Sequence, residues 1–170
     1  MDAFFIWLET SALSIWVRES PSVFAFPTVL SFHTLGMGIV AGLSAAIDLR
    51  ILGFAPQVPL AQTKRYYPWL WLGFWLNAVS GVVLLIGYPT KALTNPVFYV
   101  KVCLIALAVW LVSRIGAVVL RAPDVDQKPL DANAKLLAAV SLAGWVALIT
   151  AGRLLAYTHK WEMLGIPSLT

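Results

Sequence analysis

Residues 20–47 and 66–90 contain no Asp, Glu, Lys or Arg. Each run is longer than the ~20 apolar residues that carry a helix across roughly 30 Å of hydrocarbon, and a soluble domain of ordinary size has no use for two of them. The rest of the chain agrees: of 170 residues, 60% are hydrophobic and 12% charged, and the mean hydropathy is +0.82. This composition excludes intrinsic disorder, and a single cysteine, Cys103, excludes a disulfide scaffold or a thiolate metal cage. Nor does the net charge of +4 point to nucleic acid, because the twelve Lys and Arg are scattered between apolar runs instead of forming a stripe.

The fold expected is an all-α integral membrane protein, an antiparallel four-helix transmembrane bundle with an N-terminal interfacial helix, in a single membrane domain over residues 1–170. Spans are expected near residues 23–49, 68–88, 96–120 and 133–158. The third opens on Asn95 as a cap and Pro96 at the first helical position, where a missing N–H leaves no gap in the ladder. Residues 1–19 carry Asp2, Glu9, Trp7 and Trp16 and lack the basic start and small-residue cleavage site of a signal peptide, so they read as an interfacial helix, with a fifth short span as the alternative. Pro27 either kinks the first span or marks its true start. Gly38, Gly42 and Ala46, four residues apart, are expected to let a neighbouring helix come close.

With four spans, both termini lie on one face, side A, and the loops over residues 50–65 and 121–135 lie on the other, side B. Side B carries seven Lys and Arg against five on side A, or six against three once Arg114, Lys101 and Arg153 inside spans are set aside. The positive-inside rule then makes side B cytoplasmic and places both termini in the periplasm of a bacterial inner (plasma) membrane.

Ionisable groups within spans are expensive and ask for a reason. His33 lies six residues after Pro27, Lys101 five after Pro96, and Arg153 six before His159, which puts all three roughly 7 to 9 Å inside the side A boundary. Like charges repel, so an imidazole facing two cations needs an anion, or something that His33 ligates, to become favourable. Haem b meets both needs: a neutral imidazole is a common axial ligand, and two propionates would partner Lys101 and Arg153. Gly36 and Gly38 beside the histidine are expected to leave room for the flat macrocycle. His159, the only other histidine, is the second candidate iron ligand, although it should stand about 9 Å shallower than His33. The iron is then five-coordinate, or His159 ligates a second haem, or His159 sits at the interface between Tyr157 and Trp161. The plainer readings remain beside these: His33 as a hydrogen-bonding group between helices, Lys101 and Arg153 snorkelling to the boundary, and an Asp48–Arg114 pair near side B. Trp69, Trp71, Trp110 and Trp161 are expected to form an interfacial belt, and Cys103 to be a packing residue. No nucleophile constellation, phosphate loop or His-Glu-x-x-His motif is present.

Taken together, Trp7-Leu8-Glu9, the segment from Ser14 to Glu19, His33-x-Leu35-Gly36, Asp48-Leu49-Arg50-x-Leu52-Gly53, Asn95-Pro96-x-Phe98-x-x-Lys101 and Gly152-Arg153 with Tyr157 resemble a family of short bacterial four-helix membrane proteins of no established activity. More distantly, a histidine early in one helix followed by glycines, with a lysine early in a later helix, is similar to the HemJ-type protoporphyrinogen oxidases and the copper-resistance protein D group. That resemblance implies a haem b ligand at His33 and an essential cation at Lys101.

The function expected is therefore a b-type haem protein carrying electrons between a periplasmic redox partner and the quinone pool, working as a homo-oligomer or complex subunit among membrane lipids. The alternatives are a haem-dependent oxidoreductase of the protoporphyrinogen oxidase type, a haem-free anion- or proton-binding transport subunit, and an assembly factor with no chemistry.

Overall fold

The computed structural model describes residues 2–121, 125–126 and 130–157, which are helical with no strand among them. Two short helices, α1 (Asp2–Glu9) and α2 (Ala12–Glu19), precede four long ones, α3 (Phe26–Leu52), α5 (Tyr67–Gly87), α7 (Pro96–Arg121) and α8 (Ala132–Tyr157). A four-residue helix α4 (Leu60–Thr63) and a 3-10 turn (Lys64–Tyr66) lead into α5 on side B, and α6 (Pro89–Leu93) joins α5 to α7 on side A. The protein is a multi-pass membrane protein: all four long helices are apolar enough and long enough to span. Their outward faces carry Phe32, Leu35, Trp75, Val79, Val82, Val100, Val102 and Val146, all exposed, as lipid-facing surface must be. Hydroxyls on those faces are satisfied within their own helix, Ser31 donating to Pro27 O, Thr34 to Leu30 O, Ser113 to Val109 O and Thr150 to Val146 O.

Local chemistry sets the helix ends. Pro27 marks the start of α3 and does not kink it, since it sits in the first turn. Gly53 ends the same helix with φ 104°, a left-handed conformation that costs a glycine nothing, and Gly53 and Phe54 donate back to Arg50 O and Leu49 O. Asn95 caps α7 as expected, its Oδ1 accepting from Val97 N at 3.0 Å.

The N-terminal segment departs from the single helix expected. It breaks at Thr10 and restarts at Ser11, whose hydroxyl accepts from Ser14 N. Both pieces dock on the side A end: Thr90 donates to Glu9 Oε1 at 2.6 Å, Ser14 donates to Gly87 O at 3.3 Å, and Val17 is fully buried against Gly87. Phe4, Ile6, Trp7 and Trp16 remain exposed on their outer surface.

In the bundle α3 is central, packing most extensively on α5 and then on α8, which also holds α7. The close approach runs through Gly36 and Gly73, and Gly38, Gly42 and Ala46 take no part in it. A Cβ on Gly36 would stand 2.6 Å from Asn77 N and 2.8 Å from Gly73 O, whereas Gly38 and Gly42 have nothing within 4 Å and all three expected residues are exposed. The α-helical period explains the difference, since Gly38 lies about 200° around the helix from Gly36 and so faces away from α5. At side B, Gly116 of α7 admits the ring of Tyr67, where a Cβ would come within 2.6 Å of Cε1.

Candidate functional site

Towards side A the bundle opens. The interior there holds a cavity of about 360 Å³, bounded by α3, α5, α6, α7 and α8 and lined mainly by Phe26, Leu30, Leu84, Leu85, Tyr88, Phe98 and Leu155. Its polar lining consists of His33, Lys91 and Lys101, with no carboxylate among the described residues.

His33 is held in one orientation from α5. Its Nδ1 lies 3.0 Å from Asn77 O and 3.2 Å from Ser80 Oγ. Asn77 O can only accept, and the Ser80 hydroxyl already donates to Leu76 O at 2.6 Å, so the proton must be on Nδ1. The neutral ring then presents an unprotonated Nε2, the arrangement in which a second interaction orients a metal-ligating imidazole. Asn77 reciprocates, its Nδ2 donating to His33 O at 2.6 Å. Gly81 leaves the space that the ring occupies: a Cβ there would stand 3.1 Å from His33 Cε1.

Lys101 comes from α7 towards the same cavity. Its ammonium has no hydrogen-bond or ion-pair partner among the described residues, and Gly152 of α8 keeps the space beside it open, since a Cβ would lie 3.9 Å from Nζ. The expected third member stands elsewhere. Gly152 lines the cavity, but Arg153, the next residue round the helix, is exposed and does not. Lys91 of α6 takes the second cationic position instead. The sequence reading counted it only as a loop charge, yet it stands immediately after the 66–90 uncharged run, where a charge meets the mouth of whatever that span encloses. His159 and Trp161 lie outside the described residues.

Gly81 makes the space for the His33 ring, and Gly152 stands beside Lys101. Gly36, expected to provide that space, is filled by the α5 backbone, and Gly38 points away. Other expectations also change. Asp48 is 1% exposed while Arg114 is exposed, and no ion pair joins them. Cys103 faces outward and is exposed, since α7 turns that side to lipid. Trp69 and Trp110 are exposed as a belt requires, whereas Trp71 turns partly inward, edge-on to Phe74 at 5.5 Å. Among the described residues no three His, Cys, Asp or Glu side chains gather into a metal cage. No family model matches the chain, and no curated protein or solved structure gives a match.

Proposed function

We propose that the protein is a b-type haem-binding electron carrier of the bacterial inner membrane, with the cavity end facing the periplasm. The observation that carries this reading is His33: its Nδ1–H is committed to Asn77 O, and among the described residues its Nε2 has no partner and the cavity it lines holds two cations and no acid. The donor set fits the group. His33 would be the axial ligand, Lys101 and Lys91 would receive the propionates, and the apolar lining would take the macrocycle, with one edge open towards lipid. Bound haem supplies one-electron chemistry. The chain's own residues fix the imidazole tautomer, provide the anion site and exclude charge from the remainder of the pocket. Electrons would pass between a periplasmic redox protein and the quinone pool, with other copies or subunits supplying the path. Oxidation of protoporphyrinogen is the enzymatic form of the same reading, and turnover with that substrate distinguishes it.

The test is the visible spectrum of detergent-purified protein, oxidised and dithionite-reduced, with a pyridine haemochrome assay, for the native chain and His33→Ala. A Soret band present in the native protein and lost in the variant is expected. A colourless preparation from cells supplied with haem, or a band that survives His33→Ala, overturns the reading.

The paired lysines favour a second reading: the cavity takes another apolar carboxylate without iron, as a transport subunit would. A colourless native protein that binds a fatty acid or similar amphiphile, and loses it in Lys101→Gln, would establish that instead.

A further inference from the structure

The side B half of the bundle holds a second group of polar side chains, independent of the cavity. Asp48, four residues before the end of α3, is 1% exposed, and Ser44 sits one turn earlier on the same face, 3% exposed. From α8, Ser141 faces the carboxyl and Trp145 follows one turn on, at 2% and 5% exposed. Tyr67 of α5 closes the group, its ring pressed against Gly116. Among the described residues Asp48 Oδ2, Ser44 Oγ, Ser141 Oγ and Trp145 Nε1 are buried without a close hydrogen bond, although the Ser141 hydroxyl does face the Asp48 carboxyl. Orphaned polar atoms are rare in native structures, and a buried carboxyl beside a buried serine hydroxyl calls for something that joins them.

Among the described residues no cation answers the carboxyl. On its own helix Arg50 is occupied, donating to Val58 O and Pro56 O and lying 4.0 Å from Asp126. Arg114 of α7 and Lys135 of α8 are exposed, and α5 offers Tyr67, which is neutral. An ionised carboxylate in this position would be an uncompensated charge in the low-dielectric interior, an arrangement that desolvation strongly disfavours. Beside it lies a gap of about 10 Å³, lined by Ser44, Asp48, Tyr67 and apolar neighbours, room for about one water molecule.

We propose that Asp48 is a proton-binding site: its carboxyl takes a proton from the aqueous phase on side B, the Ser141 hydroxyl meets it directly, and one buried water joins it to the Ser44 and Tyr67 hydroxyls. The protonated Oδ2 becomes a donor, so the Ser44 and Ser141 hydroxyls gain a partner and the charge disappears. Asp48 lies about 6 Å from the end of α3 and ~22 Å along the same helix from His33, so it belongs to the opposite face from the cavity. The proposal does not rest on the haem reading and applies to the protein with or without a cofactor.

The test is infrared spectroscopy of the detergent-purified full chain at neutral pH, in H2O and D2O, as a difference between native protein and Asp48→Asn. Expected is the carbonyl stretch of a protonated carboxyl, downshifted in D2O and absent from the variant. Ser141→Ala should move that band without removing it, which keeps the test open if Asp48→Asn folds poorly. Loss of carboxylate bands alone overturns the proposal. So does a sodium-dependent rise in the thermal midpoint of the native protein that Asp48→Asn lacks, since the site would then hold a metal cation and not a proton.

Discussion

Where α6 joins α5 to α7, the interior holds a histidine and two lysines around a cavity of about 360 Å³; at the far end of α3 it holds a single carboxyl beside a gap of about 10 Å³. Among the described residues both ends leave ionisable groups without an ion-pair partner, and they differ in sign and in room. The room follows from small residues. At side B, Gly116 admits Tyr67 and closes α7 onto α5, while at side A, Gly81 admits the His33 ring and Gly152 stands beside Lys101 at the wall of the cavity. A cationic end with volume suits a large anionic ligand, whereas an acidic end without volume can be neutralised only by something as small as a proton and a water. The difference teaches that an unpaired buried charge identifies a site, and that the packing around it selects the ligand.

The widest break in this comparison comes from the contact both ends share. A Cβ on Gly36 meets the α5 backbone at 2.6 and 2.8 Å, and backbone cannot swing aside as a side chain can. Gly36→Val should force α3 from α5, destabilise the bundle by about 3 kcal/mol and remove both ligand binding at the cavity and the proposed buried carboxyl band together. Thermal unfolding in detergent followed by circular dichroism checks this. A variant with the native midpoint and both signals intact would refute the α3–α5 approach described above.

Gly81→Val should separate the two ends. Its Cβ would stand 3.1 Å from His33 Cε1, and the added methyls would push the imidazole off Asn77. Haem affinity, or affinity for the amphiphile if the cavity is iron-free, should fall tenfold or more by titration, because the ligand's orientation is lost. The infrared band of Asp48, on the opposite side of the bundle, should not move. A coupled change in both would mean that the ends are not independent.

Much of this was legible in the chain itself. The two uncharged runs mark the first two long helices to within a few residues, and the Asn95-Pro96 start and apolar length mark the other two, because hydrocarbon thickness and helix rise leave little freedom. That His33 and Lys101 share one level followed from the same rise, and both line the cavity. What rise does not convey is azimuth. Gly36 and Gly38 are two residues apart and face opposite ways, and Gly152 lines the cavity where Arg153 does not. Those outcomes depend on how each helix is rotated against its neighbours, which apolar faces exposed to lipid on nearly every side do not specify. Asp48 was misassigned for the same reason: Arg114 was available at the right depth, but its side of α7 faces outward.

The smallest expected effect tests azimuth directly. Lys101 and Arg153 are matched in sequence depth, and a reading from depth alone gives them equal weight. The structure distinguishes them, since Lys101 is half-buried at the cavity with no partner among the described residues and Arg153 is exposed. Lys101→Gln removes a charge-assisted contact and should weaken ligand binding by roughly tenfold, the equivalent of ~1.4 kcal/mol. Arg153→Gln should change binding by less than about threefold, as surface substitutions away from a site usually do. Both are read by the same titration, and thermal midpoints near native in each variant show that the comparison reports binding and not folding. The opposite order, with Arg153 dominant, would mean that α8 is rotated from the orientation described here and would restore the propionate role to the arginine.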